Sequence, residues 1–232
     1  MKKIKSILLA LSMVSLQSQA TFSIIAYDPS TGQLGSALAS CVSLPDYMDP
    51  TFFLTEIVAG KGVVITQAEV PFPNSNLLAA AGLITEGKNP GEIIEHLILN
   101  DQDHTPHMRQ NLVLTISSPG YSVGEAYSGS AISEQVGSSA GVNYVIAGNE
   151  LEDGVVARME SAFTQADGDL KSKLLATLVS VKNSGLGDKR CTQHGVTSHS
   201  AFIKVGNESV YYNSQSDTVD AIDGLIGVAS SW

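Results

Sequence analysis

The sequence of 232 residues predicts an α+β fold in which antiparallel sheets are covered by helical layers. Three observations carry that expectation. The chain reads as a strand hairpin once its first twenty residues are set aside, later strand patterns group apart from paired helical patterns, and no repeat, low-complexity tract or linker interrupts it.

Residues 21–26 read as a strand, since Phe22, Ile24 and Ile25 are β-formers in a short run. Asp28-Pro29-Ser30-Thr31-Gly32 is dense turn chemistry, and residues 34–40 form the return strand. A strand at 62–67 precedes Pro71, Pro73 and Asn74. A helix beginning near Asn76 turns Leu77, Leu78, Ala81 and Ile84 inward. The next helix takes Asn89 as N-cap and Pro90 at its first position, with Ile93, Ile94, Leu97 and Ile98 as its apolar face. Strands follow at 112–117, 123–127 and 143–147. Helices at 154–163 and 170–182 bring Met159, Leu174, Leu175 and Leu178 to the core, and strands at 200–205 and 210–213 close the chain.

Composition acts mainly by exclusion. A net charge of −10 disfavours a sequence-independent nucleic-acid binder, which needs a basic face for phosphates. Two cysteines cannot make a disulfide-dense scaffold or a four-cysteine zinc site.

The first twenty residues have the plan of a secretory signal peptide: a basic start at Lys2, Lys3 and Lys5, an apolar run from Ile7 to Val14, and Ser18-Gln19-Ala20 before a cut. That run is too short for a permanent membrane span, and no later stretch is apolar for long enough. A buried N-terminal helix is the competing explanation, but only Ser12 and Ser15 would give it a polar face. Cleavage after Ala20 removes three lysines and no acid, leaving 212 residues at −13 as one domain over 21–232. The expected location is a bacterial periplasm or the cell exterior, with no membrane attachment after cleavage. There Cys41 and Cys191 can persist as a disulfide. The alternative for Cys41 is a catalytic thiol, and the oxidising compartment favours the bridge.

The same cut exposes Thr21 with a free α-amino group. A threonine hydroxyl is a poor nucleophile and needs a base within reach. Its own α-amino group, with a reference pKa of about 7.7–8.0, is such a base near working pH. One terminal residue can therefore supply both nucleophile and base.

The segment Thr21-Phe22-Ser23-Ile24-Ile25-Ala26-Tyr27-Asp28, with Gly32-Gln33-Leu34-Gly35 and Ala37-Leu38-Ala39-Ser40, resembles the opening of the domain of unknown function 1028 family. The resemblance runs on through Val64-Ile65-Thr66-Gln67-Ala68, Asn89-Pro90, Tyr127-Ser128-Gly129-Ser130 and Gly148-Asn149-Glu150-Leu151. It ends with Gly187-Asp188-Lys189-Arg190-Cys191 and Ser200-Ala201-Phe202. Many relatives carry a basic residue where this chain has Cys41, and lack its 192–199 insertion; secreted relatives resemble it at both points, which favours a Cys41–Cys191 bridge.

The resemblance implies membership of the N-terminal-nucleophile (Ntn) hydrolase superfamily and a four-layer αββα sandwich. It further implies amide hydrolysis through an acyl-enzyme formed on Thr21. Asn149 is then the expected oxyanion donor, because it ends a strand and its amide adds a dipole without charge. Its competing role is to cap the helix turn at Gly154 or to tolerate left-handed backbone. Ser40 is expected to hydrogen-bond the nucleophile. Asp188 and Arg190 are expected to orient the Thr21 ammonium or bind a substrate carboxylate, against a plain solvated turn.

Two other constellations compete. Gly137-Ser138-Ser139-Ala140-Gly141 matches a nucleophile elbow, but the elbow needs a following helix and residues 142–147 read as a strand, so a hairpin turn is expected. His104 with His107, and His194 with His199, bring no third ligand at informative spacing, so no metal is expected. The partner implied is a small amide or peptide substrate, with no cofactor and with a homo-oligomer left open. The loops 42–55, 71–75 and 192–199 are expected to form the pocket. A non-catalytic secreted binding module of the same fold is the alternative function.

Overall fold

The computed structural model describes residues 21–132 and 135–232, so the expected leader lies outside the described residues. The described residues begin with the hairpin β1 (Thr21–Asp28) and β2 (Gln33–Ser40). Its turn is held by the Asp28 carboxylate, which accepts from Ser30 N–H, Ser30 Oγ and Thr31 Oγ1, while Gly32 takes a φ of 74°. The short helix α1 (Thr51–Leu54) runs straight into β3 (Thr55–Val58), and β4 (Gly62–Ala68) follows.

Next come α2 (Ser75–Thr85) and α3 (Pro90–Leu99). Asn74 caps α2 by accepting from Leu77 N–H, and Asn89 with Glu92 forms a reciprocal capping box on α3. Of the α2 residues expected inside, Leu77 and Ile84 are buried but Leu78 is exposed, and Ala80 takes the core position instead. The strands β5 (Arg109–Ser118), β6 (Tyr121–Ser128), β7 (Gly137–Gly141) and β8 (Tyr144–Asn149) precede α4 (Val155–Gln165) and α5 (Leu170–Asn183). Residues 137–141, expected as a turn, are the edge strand β7, and the turn falls one step later, at Asn143 with a φ of 68°. After α6 (Lys189–Thr192), β9 (Ser200–Val205) and β10 (Glu208–Asn213), the chain closes on α7 (Ala221–Ala229) and not on a strand.

These strands form two antiparallel sheets, ordered β10-β9-β2-β1-β8-β7 and β3-β4-β5-β6. Alternation along each strand assigns every side chain to one face. Ile25, Leu38, Val145 and Phe202 of the first sheet meet Val63, Ile65, Leu112 and Leu114 of the second. On the other face of the larger sheet, Phe22, Ile24 and Ile146 pack against Met159, Leu174 and Leu225 from α4, α5 and α7. Val64 and Val113 turn the opposite way, toward Leu77, Ile84, Ile93 and Leu97 of α2 and α3. The chain is a mixed α+β fold of two antiparallel sheets and seven helices among the described residues.

Candidate functional site

The register of the larger sheet aligns polar residues along one end. Thr21 pairs with Ser40 on β2 and with Asn149 on β8, Ser40 pairs with Ser200 on β9, and Ser200 pairs with Asn213 on β10. Directly opposed residues share a face, and Thr21, Ser23 and Ile25 alternate onto one face of β1, where Ile25 belongs to the inter-sheet core. The row therefore points between the sheets. It is closely packed: Thr21 is 3% exposed, Ser40 4% and Asn149 0%.

Thr21 Oγ1 donates to Ser40 Oγ across 3.2 Å, and Ser40 Oγ also accepts from Val42 N–H at 3.3 Å. Ser23 lies farther along the same face, its Oγ 3.5 Å from the Ala147 carbonyl. A side chain at Gly148 would bring a Cβ within 2.7 Å of the Thr21 carbonyl oxygen, so glycine is needed where β8 passes the start of β1.

The opposing sheet completes the site with two glutamines absent from the expected set. Gln67 follows Val63 and Ile65 at strand period on β4, and Gln110 precedes Leu112 and Leu114 on β5, so both face inward. Gln110 Oε1 accepts from Gln67 Nε2 at 2.6 Å and from Asn149 Nδ2 at 3.1 Å. Gln110 Nε2 donates to Ser128 Oγ and to the Gly148 carbonyl, which fixes the orientation of its amide. Gln67 Oε1 and Asn149 Oδ1 are left buried without a hydrogen-bond partner. Immediately after these two residues, Ala68 and Glu150 hold left-handed backbone, with φ of 71° and 52°. Such residues cost of order 1–3 kcal/mol each and cluster at functional sites. Asn149 itself is extended in β8, and α4 starts from Gly154 without a side-chain cap, so the capping and left-handed roles weighed for Asn149 do not apply.

Asp188 and Arg190 stand just beyond the row. The buried Asp188 carboxylate accepts from the N–H of Cys41, the residue after Ser40, at 3.0 Å. It also caps α6 through Arg190 N–H and pairs with Arg190 Nη2 at 2.9 Å. Arg190 Nε lies 3.3 Å from Glu150 Oε2, on the residue after Asn149. This charged group thus spans from the end of β2 to the end of β8, past the first residue of β1. It is a bonded cluster on the buried Asp188, with Arg190 and Glu150 half-buried, and not a plain solvated turn. Cys41 and Cys191 form a disulfide beside it, with Cα atoms 5.6 Å apart. His199 lies within 4.8 Å of both sulfurs, which are bonded to each other.

A small cavity opens onto Thr21, Ser40, Gln67 and Ser200, with Val42, Leu44, Phe53 and Val70 among its other walls. Among the described residues, none that lines it is charged. One of the three expected loops, 42–55, contributes, whereas residues 71–75 and 192–199 do not line it. Ser139 of the elbow-like motif sits elsewhere, on edge strand β7, where its Oγ donates to Glu160 Oε1 at 2.7 Å.

With this geometry in place, comparison with known families gives one match: a family of unknown function, DUF1028, aligns over residues 21–223. The chain belongs to the DUF1028 family. The match begins at Thr21 and includes Ser40, Gln67, Gln110, Asn149, Asp188 and Arg190. Among solved structures, the chain is similar to the crystal structure of protein SPO2555 from Silicibacter pomeroyi, described as a DUF1028 protein. The TM-score is 0.73 at 22% identity, covering 91% of this chain and 88% of the other. That likeness speaks to the fold. No curated protein matches the chain. The disulfide of this DUF1028 protein suggests a non-cytoplasmic compartment, and none of its described helices is long and apolar enough to cross a membrane.

Proposed function

We propose that this DUF1028 protein is a secreted Ntn hydrolase with a four-layer αββα sandwich, which cleaves an amide or peptide bond. Removal of residues 1–20 as a leader frees the Thr21 α-amine. As a neutral base, the amine takes the Oγ1 proton while Oγ1 attacks the substrate carbonyl carbon. The C–N bond then breaks as the proton passes to the leaving amine, giving an acyl ester on Thr21. Water attacks that ester with the same amine as base, releasing the acid and restoring the hydroxyl.

The observation that carries this reading is the position of Thr21. It is the first residue that the DUF1028 family match covers, the first residue after the expected cut, and a wall of the cavity between the sheets, hydrogen-bonded to Ser40 at 3.2 Å. Ser40 orients the nucleophile. Asn149 was the expected oxyanion donor, but one hydrogen of its Nδ2 is held by Gln110 and its Oδ1 has no partner. That arrangement better suits an acceptor for the Thr21 ammonium. Asp188 and Glu150, bridged by Arg190, add negative charge where the released terminus emerges. No cofactor enters the scheme.

Hydrolysis of an N-acyl anilide by the exported protein, set beside Thr21→Ala and Thr21→Ser, tests the reading. Loss of turnover in Thr21→Ala with retention in Thr21→Ser is expected. Equal turnover in Thr21→Ala would place the chemistry elsewhere.

A further inference from the structure

Leu44, Phe53 and Val70 wall the Thr21 cavity and also a second cavity of about 310 Å³, whose outer walls are Pro45, Met48, Pro71 and Phe72. The two spaces therefore share a wall, with Thr21 on one side and Phe72 on the other. Among the described residues, no charged side chain lines either one. Phe72 is 77% exposed and meets Phe53 edge to face, with ring centroids 6.1 Å apart. This volume is within the usual range for ligand pockets, about 300–1,000 Å³.

The walls are anchored to the sheet ends. Asn213 Nδ2 donates to the carbonyls of Pro45 and Met48, each at 2.8 Å. Gln215 Nε2 donates to Leu44 O at 2.9 Å, and Asn74 Nδ2 to Phe53 O at 2.7 Å. The loop that walls the cavity is thus tied to β10 and to the start of α2. One polar atom in the inner wall is unmatched: Gln67 Oε1, on a residue 1% exposed, has no hydrogen-bond partner. Its Nε2 is turned to Gln110, so the polar atom left over on this wall residue is an acceptor.

We propose that these cavities form an acyl subsite, and that the substrate is an N-acyl amide whose acyl chain is uncharged and apolar. The inference rests on the Thr21 reading above. The carbonyl lies at Thr21, the chain fills the space between Leu44, Phe53, Val70 and Phe72, and the amide N–H donates to Gln67 Oε1. A charged acyl group is rejected, because burying an ion among uncharged walls leaves it unsolvated and unpaired. Each buried methylene contributes about 0.8 kcal/mol, or about fourfold in kcat/KM.

The test is a series of p-nitroanilides carrying acetyl, butanoyl, hexanoyl, octanoyl and succinyl groups, given to the exported protein. Expected is a rise of about fourfold per methylene until the cavity fills, with succinyl below butanoyl. The octanoyl-to-acetyl ratio should fall at least tenfold, about 1.4 kcal/mol, in Leu44→Glu protein whose circular dichroism matches the parent. A preference for acetyl or succinyl would overturn the subsite and leave Thr21 untouched. Calorimetric binding of the uncleaved octanoyl compound to Thr21→Ala separates the two ideas. Tighter binding than the acetyl compound supports the subsite even if nothing is hydrolysed, and equal or absent binding overturns it.

Discussion

Asn149 on β8 and Gln110 on β5 join the two sheets through a buried hydrogen bond, Nδ2 to Oε1, of 3.1 Å. The same carbonyl oxygen receives Gln67 Nε2 at 2.6 Å, so one glutamine sets the amide orientation of Gln67, which lines the Thr21 cavity, and of Asn149, which pairs with Thr21 across the strands. Replacing Gln110 by Leu strips both buried donors of their acceptor. Each such group costs about 1–3 kcal/mol, so a loss of about 2–6 kcal/mol in urea unfolding is expected. Turnover per folded molecule should fall as well. Unchanged stability would mean that the amides find other partners.

Ser40 supplies the oxygen that accepts from Thr21 Oγ1. In Ser40→Ala the proposed nucleophile loses that contact while the strand pairing survives. A fall of about tenfold in kcat/KM with a stability change near 1 kcal/mol is expected, read from kinetics and thermal unfolding together. A rate within twofold of the parent would show that Ser40 is a packing residue.

What the sequence disclosed and what it hid follow from the range of the forces involved. The β1–β2 hairpin and α3 are legible because local chemistry decides them: the Asp28 turn and the Asn89–Glu92 capping box need no distant partner. Helix α7 is obscured by Gly224 and Gly227, although Asp220 caps it through Ile222 N–H and Leu225 is fully buried. Gly224 is required by the close approach of Tyr212, whose ring a Cβ would meet at 2.3 Å, and that is a tertiary fact. Thr21, Ser40 and Asn149 were each nameable from the chain, and register alone brings them into one row. Gln67 and Gln110 read as ordinary strand glutamines. Their inward direction could have been inferred from the period-two runs with Val63 and Ile65, and with Leu112 and Leu114, but their meeting required the second sheet.

The Cys41–Cys191 bridge spans 150 residues and holds the end of β2 against α6. Long closed loops are nominally worth about 4–5 kcal/mol of unfolded-state entropy. The double variant Cys41→Ser/Cys191→Ser should therefore lose about 3–5 kcal/mol in urea titration. The parent treated with a reductant should approach it. Identical midpoints with and without reductant would contradict the bridge.

A second buried ion pair gives a pH prediction. Burial of Asp101 would raise its carboxyl pKa, but hydrogen bonds from Arg109, Thr105 N–H and Asn76 outweigh that and hold it below the usual carboxylate value. Arg109 also reaches Asp103 at 2.8 Å and donates to the Glu69 carbonyl, the residue after Ala68. A depressed folded-state pKa contributes stability that is present above the unfolded value, about 3.9, and is lost as pH falls through the folded value. Unfolding free energy should thus drop on acidification below about pH 4, and Asp101→Asn should be less stable at pH 7 with a shallower acid dependence. An equal acid dependence in the variant would assign the transition to other carboxylates.

The central claim is that the mature chain begins at Thr21 and that this threonine is the nucleophile. Intact-mass and N-terminal analysis of the exported protein, before and after treatment with a β-lactone probe, measures both at once. The account predicts a chain starting Thr21-Phe22-Ser23, and a single adduct mapped to the Thr21 hydroxyl that is absent from Thr21→Ala. A mature start at any other residue, or an adduct that persists in Thr21→Ala, would contradict it.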